Sequence, residues 1–399
     1  MLVSQPDILA VFVQLRSMIK TDIAIIGGGI TGLWLLNQLQ AAGYSTLLFE
    51  RTGLGQGQTL SSQGMIHGGL KYNLAGVSSN ASETIAGMPG IWQQCLAGDG
   101  PVDLHNAKCL ARCYHLFSDA ALGGKLAAFL GSKAVRGGAR ALKHLPEPFN
   151  HPEFKGSVYE IPDMVIDTAS VVAALAESAG SSIIQGAPTP VTEGGSGIVG
   201  LTLPDGRTVK AERYIFAAGA GNEDLLRQSD IAVGMQRRPL HQVLVRGPLP
   251  TLFGHAVSMG SGDKPRMTIS THKTKDLQPV WYLGGDLAET GIHRSNAAQI
   301  EFAKNELKRF LPFIDTSECE FKSWRIDRAE PKTPDTLRPD RPFCAVSGNV
   351  LVCWPIKLTL VPLLAREVMK HIIEPSKWPA PSNEYTVAKV GEAPWEQAF

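Results

Sequence analysis

Between residues 21 and 51, the spacing of apolar and polar positions is first that of a strand, then that of a helix, and then that of a second strand. Residues 23–26 are a continuous apolar run of the kind found in a buried parallel strand. Leucines at positions 33, 35, 36 and 39 then recur at helical spacing, before Gly43 ends the pattern. The run STLLFE at residues 45–50 is typical of the next strand. Together these segments predict one βαβ unit over residues 21–51.

Later segments carry patterns of the same two kinds. Residues 164–180 predict a strand and then a helix, with Asp167 or Thr168 as the N-cap. Residues 198–221 predict a hairpin that turns at Asp205–Gly206 and returns as an apolar strand. The other elements that the patterns predict are, in chain order, mostly helices over residues 83–145, several strands over 236–290, a helix over 296–312, a strand over 349–355 and a final helix over 358–373.

Composition and charge narrow the class of protein. The chain has 399 residues, 44% of them apolar, which allows two domains and a large core. Lys and Arg (38) nearly balance Asp and Glu (37), so the net charge of +1 provides no basic excess for nucleic acid or an anionic membrane. The 41 glycines indicate many tight turns or close approaches of the backbone to a ligand.

The cysteines and the N-terminus bear on the compartment. The six cysteines are scattered without a C-x-x-C pair, so we expect isolated thiols, no metal site and a reducing, cytoplasmic location. Residues 8–15 are apolar but too short to span a bilayer, and no basic segment or cleavage site accompanies them. We therefore expect residues 1–20 to be an N-terminal extension and not a signal peptide.

The turn between the first strand and helix carries Gly27-x-Gly29-x-x-Gly32. In this motif the first glycine makes the tight turn, the second lets a pyrophosphate approach, and the third packs helix on strand. Glu50 ends the next strand, where a carboxylate can accept hydrogen bonds from a ribose diol. The spacing predicts a dinucleotide site. FAD is favoured over NAD because the unit stands early, the strand at residues 214–219 returns late, and no second such motif follows a strand.

Beyond this turn, the sequence resembles the FAD-dependent oxidoreductases of the D-amino-acid-oxidase (DAO) superfamily, from Thr21 to the final helix. The similar segments are DIAIIGGGITGLWLLNQLQAAGYSTLLFER, DTASVVAALAESAGSSIIQGA, DGRTVKAERYIFAAGAG, WYLGGDLAETG and PKTPD. The resemblance implies an α/β fold (α+β overall) with noncovalent FAD on a Rossmann-like domain with a parallel sheet. It also implies a substrate domain with a mostly antiparallel β-sheet.

The resemblance further implies that the FAD-binding domain is discontinuous. We expect it to comprise residues 21–95, 160–235 and 335–399, and the substrate domain to comprise residues 96–159 and 236–334.

Two stretches are most similar to the FAD-dependent glycerol-3-phosphate dehydrogenases of this superfamily: IHGGLKY at residues 66–72 and KLT at 357–359. The resemblance implies that Lys71 and Tyr72 face the substrate, with Lys71 in place of Arg. It also places Lys357 and the N-terminus of the last helix at the pyrimidine edge of the flavin. A cation and a helix N-terminus there stabilise the negative charge of reduced flavin.

Four residues are candidates for substrate chemistry. His67 is a candidate base for a substrate hydroxyl, a flavin contact or a structural histidine. Lys71 and Arg328 are candidate anion clamps, with a solvated surface lysine and an inter-strand ion pair as the respective alternatives. Tyr72 is either a wall of the substrate site or a core aromatic residue. His241 is a further candidate acid or base, although an ordinary strand residue is the competing interpretation.

The superfamily often has Arg-Pro before the TPD run. Here that place reads Glu330-Pro331, and Arg328 stands two residues earlier. The residues expected to contact FAD are Gly27, Gly29, Ile30, Thr31, Gly32, Glu50, Arg51, Thr59, Ser61, Ser62, Gly64, Ala218, Gly219, Lys357, Leu358 and Thr359.

These features predict an FAD-dependent oxidoreductase. We expect it to take hydride from the CH–OH carbon of a small anionic substrate such as a 2-hydroxy acid or polyol phosphate. An amino-acid or amine oxidase or dehydrogenase acting on a CH–NH carbon is the alternative, and a flavin-binding assembly protein and an NAD-dependent dehydrogenase are more distant ones. Oxygen, a quinone and a carrier protein all stay open as electron acceptors. The glycerol-phosphate resemblance adds peripheral contact with the inner membrane as an expectation.

Overall fold

The computed structural model describes residues 18–68, 85–120, 139–142, 144–193, 197–258, 264–334, 339, 341–376, 378 and 385–399. Lys71 and Tyr72 lie outside the described residues, as do residues 1–17 of the expected N-terminal extension. The strands are β1 (Met18–Ile26), β2 (Thr46–Glu50), β3 (Met65–Ile66), β4 (Cys109–Ala111), β5 (Tyr114–Ser118), β6 (Arg140–Ala141), β7 (Val158–Ile161), β8 (Met164–Ile166), β9 (Ile183–Gln185), β10 (Thr189–Thr192), β11 (Ile198–Thr202), β12 (Thr208–Phe216), β13 (Met235–Arg246), β14 (Gly254–Val257), β15 (Met267–Lys273), β16 (Pro279–Gly284), β17 (Glu320–Pro331), β18 (Phe343–Ser347) and β19 (Val350–Trp354). The helices are α1 (Ile30–Ala41), α2 (Met88–Ala97), α3 (Thr168–Ala179), α4 (Asn222–Gln228), α5 (Asp286–Thr290), α6 (Asn296–Phe310), α7 (Val361–Met369) and α8 (Pro394–Ala398).

A largely parallel sheet carries the predicted βαβ unit. Its strand order is β10-β11-β12-β1-β2-β9, and β19 joins β12 while β18 joins β19. β1 pairs in parallel with both β2 and β12, so the apolar run at residues 23–26 lies at the centre of the sheet and is buried on both faces. The leucines of α1 pack with residues of α3 and α7 on one of these faces.

A second, mostly antiparallel sheet has the order β17-β13-β16-β15-β14-β5-β7-β6. β13 and β17 pair in antiparallel register from Met235–Pro331 to Arg246–Glu320, which makes them the longest ladder described. Apolar side chains of the sheet pack with α6, with Trp281 and Phe310 almost fully buried. The parallel sheet with its helices and this antiparallel sheet confirm the predicted fold class, whereas the domain boundaries stay a prediction.

Local signals predicted several elements correctly. Asp167, not Thr168, is the N-cap of α3, because its Oδ1 accepts a hydrogen bond from the amide of Ala169 at 3.1 Å. The hairpin between β11 and β12 turns at Asp205–Gly206, where Gly206 has a φ of 85°. The last helix begins at Val361, after a 3₁₀ turn over Leu358–Leu360, and Pro362 lies in its first turn, where no backbone amide is needed.

The prediction of helices over residues 83–145 is wrong for much of the described part. Residues 88–97 form α2, but residues 109–118 form β4 and β5. Tyr114, Leu116 and Phe117 are buried, and their strand pairs with β7 and with the distant β14. The strand is therefore stabilised by partners far along the chain, which a short window of sequence does not reveal.

The segment from residue 388 onward contacts both sheets. The amide of Leu54, in the loop after β2, donates to the carbonyl of Lys389 at 2.8 Å, and the amide of Gly391 donates back to Leu54 at 2.9 Å. Trp395 then stacks on His272 of the antiparallel sheet, with ring centroids 3.8 Å apart. This terminal strap joins the loop beside the dinucleotide turn to the outer face of the antiparallel sheet.

Candidate active site

A cavity of about 940 Å³ extends from the turn between β1 and α1 to the antiparallel sheet. Its volume is at the upper end of the range for small-molecule sites. At one end it is lined by the glycine turn, the end of β2 and the residues after β12 and β19. At the other end it is lined by residues of β13, β14, β15, α5 and β17 and by Lys264 and Pro265, which precede β15. We call this lining the sheet wall. The cavity therefore has room for a cofactor on one sheet and a small molecule on the other.

The glycine turn has the geometry that its motif predicts. Gly27 has a φ of 114°, and a Cβ there would lie 2.5 Å from Cα of Ala218. A Cβ on Gly32 would lie 2.0 Å from the carbonyl oxygen of Gly27, so α1 packs directly on the turn. The first intrahelical bond runs from Leu33 to Gly29 at 3.1 Å. The amides of Thr31 and Gly32 therefore precede the hydrogen-bonded ladder and belong to the electropositive end of the helix.

Gly29, Ile30 and Thr31 line the cavity at this end. A Cβ on Gly29 would meet Thr59 Oγ1 at 3.4 Å and no other described atom within 4 Å, so the turn leaves a cradle open toward the cavity. Thr59 Oγ1 accepts the amide of Ile30 at 3.1 Å, which fixes the loop after β2 against the start of the helix. A cradle with exposed amides fits a phosphate group.

The carboxylate of Glu50 lies beside this cradle. One of its oxygens accepts the amide of Gly28 at 2.8 Å, and the other accepts the amide of Thr52 at 2.8 Å. Glu50 and Arg51 both line the cavity, and so do Ala218 and Gly219 after β12. A carboxylate held by backbone amides at the end of β2 fits the hydroxyl groups of a ribose. The residues at this end of the cavity therefore fit FAD.

Of the residues expected to contact FAD, Gly32 and Gly64 do not line the cavity; Gly32 packs α1 on the turn, and Gly64 has a different role. It has a φ of 71°, and a Cβ there would lie 2.1 Å from the carbonyl oxygen of Ile166. Its own carbonyl accepts the amide of Ile166 at 2.9 Å. The glycine is therefore required for close approach to β8, whereas Ser61 and Ser62 nearby do line the cavity.

Lys357, Leu358 and Thr359 line the cavity where β19 turns into the last helix. The amide of Lys357 donates to the carbonyl of Pro355 at 2.7 Å across Ile356, whose φ is 68°. This is the geometry of a classic γ-turn, which is rare for a β-branched residue. The turn brings the largely buried Lys357 to the cavity, and Thr359 Oγ1 accepts the amide of His67 at 3.3 Å.

His67 lines the cavity, whereas His241 does not. His241 is fully buried on the other face of β13, with its Nδ1 2.9 Å from the carbonyl oxygen of Gly291, and burial lowers its pKa. Its neighbours Leu240 and Gln242 face the cavity instead, because side chains alternate along a strand. The interpretation of His241 as an acid or base is therefore wrong on geometric grounds.

Sequence reasoning missed His255, which is buried and lines the sheet wall. Its Nδ1 lies 2.9 Å from Thr268 Oγ1, and the ring of Tyr114 meets it edge-on at 5.0 Å. The hydroxyl of Tyr114 donates to Asp163, whose other oxygen accepts the amide of Gly68 at 3.0 Å. These contacts connect His255 to the segment that carries His67. No motif marks His255, because pairing of β14 with β15 creates its site.

Arg328 lies on the sheet wall in an ionic cluster. Its Nη2 is 3.1 Å from a carboxylate oxygen of Glu289, and the other oxygen of Glu289 is 2.5 Å from Lys264 Nζ. Burial alone would raise the pKa of Glu289, but the two cations and their hydrogen bonds hold it at about 2. Glu330, which stands where the superfamily often has Arg, is buried and forms a bidentate pair with Arg238 at 2.6 and 3.0 Å.

The described residues form neither a metal-binding cluster nor a membrane-spanning helix. They contain no group of three or more His, Cys, Asp or Glu side chains that could hold a metal ion. Among the helices described, none is both long and apolar enough to cross a bilayer.

Comparison with known proteins places this geometry in context. The family model described as FAD dependent oxidoreductase (DAO) matches residues 22–354. A probable FAD-dependent oxidoreductase of Pseudomonas aeruginosa is 44% identical over 390 residues, which are 96% of this chain and 99% of that protein. A crystal structure of an FAD-dependent oxidoreductase from the same organism superimposes with a TM-score of 0.82 and 40% identity, covering 95% of this chain and 98% of the other.

More distant matches are proteins named for other activities. A glycine oxidase from Geobacillus kaustophilus superimposes with a TM-score of 0.63 at 19% identity, covering 88% of this chain and 94% of the other, and shows similarity of fold alone. An alpha-glycerophosphate oxidase of Enterococcus casseliflavus is 43% identical over 51 residues, which are 13% of this chain and 8% of that protein. The similarity to glycerol-phosphate enzymes is therefore partial and weak.

Proposed function

We propose, from the premise that this chain belongs to the DAO family of FAD-dependent oxidoreductases, that it oxidises the CH–OH carbon of a small anionic substrate bound at the sheet wall. Family membership makes it an FAD-dependent enzyme. The observation that carries the substrate proposal is the sheet wall itself. There the cations Arg328 and Lys264 and the imidazole of His255 line the same cavity as His67.

In this proposal the glycine turn and the amide end of α1 hold the diphosphate of FAD, and Glu50 accepts the ribose hydroxyls. Thr59, Ser61 and Ser62 would contact the pyrophosphate or ribityl oxygens of the cofactor. Lys357 and the turn into α7 would stabilise negative charge at the flavin ring. Bound FAD supplies the two-electron acceptor. The protein supplies the position of the substrate and the group that takes its proton.

Oxidation of an alcohol removes a hydride from carbon and a proton from the hydroxyl oxygen. The C–H bonding pair leaves as hydride, the hydroxyl proton passes to a base, and a carbonyl product forms. His67 and His255 are the proposed bases, since imidazole titrates near neutral pH. Arg328 and Lys264 would hold the anionic group of the substrate. Lys71 and Tyr72, expected beside His67, stay predictions because they lie outside the described residues.

Oxidation at a CH–NH carbon is the second candidate. It is favoured by Asp286 and Glu289, two carboxylates on the sheet wall that could accept hydrogen bonds from an ammonium group. Once the ammonium group has lost a proton to water, the neutral amine loses hydride to give an iminium without a further protein base, so this step would not need the histidines.

An anaerobic screen separates the two candidates. We would mix the yellow holoenzyme with 2-hydroxy acids, polyol phosphates and amino acids and follow loss of the flavin absorbance. Reduction by a hydroxylated anion supports the proposal, and reduction by amines alone supports the second candidate. With an alcohol substrate, His255→Gln should slow reduction by roughly 100-fold or more. The matched change at exposed His105 should leave the rate unaltered.

A further inference from the structure

We propose that Glu289 is a specificity-determining residue that restricts the sheet wall to monoanions such as a single carboxylate and disfavours dianions such as phosphate. The inference rests on the proposed function, because it concerns the anionic group of the same substrate. It decides between the two first-choice substrates, in favour of a carboxylic acid over a polyol phosphate.

The position of Glu289 supports a role in the cavity. It lies on α5 and lines the sheet wall with Arg328 and Lys264, and about a fifth of its side chain is exposed. Its two carboxylate oxygens each contact one of the two cations, at 3.1 and 2.5 Å. An anion that enters to reach these cations must therefore share them with a carboxylate that is already present.

The sum of charges on the sheet wall gives the expected preference. Arg328, Lys264 and Glu289 together carry a charge of +1, whereas the two cations alone would carry +2. A monoanion neutralises a cluster of +1, but a dianion leaves an uncompensated negative charge in a site partly removed from water. Because the pKa of Glu289 is held at about 2, the carboxylate stays ionised at any ordinary working pH.

Among the residues that the structure describes, the charges next to this cluster do not add to the attraction for a dianion. Arg266 is 2.8 Å from Asp286 and 2.9 Å from Glu306, so this adjacent group sums to −1. Asp327, which also lines the cavity, is paired with Arg237 at 3.5 Å, but Arg237 is also 2.7 Å from Glu223, so this group sums to −1 as well. The cluster of Arg328, Lys264 and Glu289 carries +1, and the group of Arg266, Asp286 and Glu306 carries −1. These two charges cancel while Glu289 is ionised.

A titration with simple anions tests the inference. The holoenzyme would be titrated with acetate and with sulfate at constant ionic strength, and binding would be read from perturbation of the flavin absorbance. Wild type should bind acetate in preference to sulfate. Glu289→Gln keeps the size of the side chain but removes its charge, and should shift the ratio of the two dissociation constants at least tenfold toward sulfate.

Two control variants make the result specific. Glu289→Asp retains the charge and should retain the wild-type preference. Glu320→Gln removes a carboxylate paired with Arg246 on the exposed end of β17 and should leave the ratio within twofold of wild type. An unchanged ratio in flavin-loaded Glu289→Gln would overturn the inference.

A second variant covers the case in which Glu289→Gln does not retain flavin. Lys264 has a largely exposed side chain, and Lys264→Gln should shift the ratio further toward acetate; a shift toward sulfate or no shift would overturn the inference. If neither anion perturbs the wild-type flavin, the sheet wall binds no anion, and both the inference and the proposed function fail. If hydroxy acids reduce the flavin but the anion ratio does not respond to Glu289→Gln, only the inference fails.

Discussion

Replacing Gly32 with alanine tests whether packing of α1 on the glycine turn creates the cofactor site. The new Cβ would lie 2.0 Å from the carbonyl oxygen of Gly27, roughly 1.4 Å short of an ordinary contact. The atom that this Cβ meets belongs to the backbone, and Gly27 and Gly32 are both buried, so relief requires the helix to move away from β1. Overpacking of this kind costs about 1–3 kcal/mol or more, and alanine returns only about 1 kcal/mol through its helix propensity.

The displacement should also weaken FAD binding. The amides at the start of α1 would move with the helix, and hydrogen bonds to a charged phosphate weaken when the donor–acceptor distance leaves its narrow range. We therefore expect affinity for FAD to fall at least tenfold. The assay is titration of apoprotein with FAD by fluorescence quenching, together with thermal unfolding of the apoprotein. Both measurements are needed because loss of cofactor alone would lower the unfolding temperature of the holoenzyme.

Gly90→Ala is the matched control. Gly90 is exposed, also lies within a helix, and a Cβ there would meet no described atom within 4 Å. The same substitution should therefore raise the free energy of unfolding by up to about 1 kcal/mol and leave FAD affinity unchanged. If Gly32→Ala binds FAD as tightly as wild type and its apoprotein is equally stable, the packing argument for the turn is refuted.

Three further predictions concern buried ionisable groups. Burial lowers the pKa of His272 to about 3, so the contribution of the neutral imidazole to stability is complete above its ordinary pKa of 6.5 and is lost as pH falls from 6.5 toward 3. His272→Phe keeps a ring against Trp395 and should reduce the loss of unfolding free energy between pH 7 and pH 5 by about 2 kcal/mol, as measured by urea unfolding. An unaltered dependence of the unfolding free energy on pH would contradict this. Glu330→Gln should lower the free energy of unfolding by about 3–5 kcal/mol because it leaves Arg238 without its bidentate ionic partner. An effect below about 1 kcal/mol is typical of an exposed ion pair and would argue against burial of this carboxylate. Lys357→Met should lower the midpoint potential of the flavin by on the order of 20 mV, about 1 kcal/mol for two electrons, and a potential equal to that of wild type would exclude a cation at the ring.

The elements that the sequence predicted well are those whose evidence is local. The βαβ unit, the N-cap at Asp167 and the hairpin at Asp205–Gly206 each depend on residues close together in the chain. For the same reason, all described residues of the expected FAD set line the cavity except Gly32, which packs the helix on the turn, and Gly64, which packs on β8.

The elements that the sequence did not predict depend on long-range pairing. β5 is a strand because it lies between β7 and β14, and the ionic cluster forms because α5, β17 and the segment before β15 meet at one wall. His241 and Gln242 are both buried, so hydrophobic periodicity could not tell which of the two faces the cavity. That choice is made by the packing of the whole sheet, and a single sequence does not contain it in any short window.

The terminal strap has a consequence for synthesis of the protein. Trp395 covers His272 and Tyr282, which are made much earlier, and the same segment closes the loop at Leu54 beside the cofactor turn. On the ribosome, these aromatic surfaces stay open until residues 388–399 have left the exit tunnel. Packing of Trp395 on these rings therefore comes late in synthesis, and a nascent chain that stalls before Trp395 emerges presents an uncovered aromatic surface to chaperones.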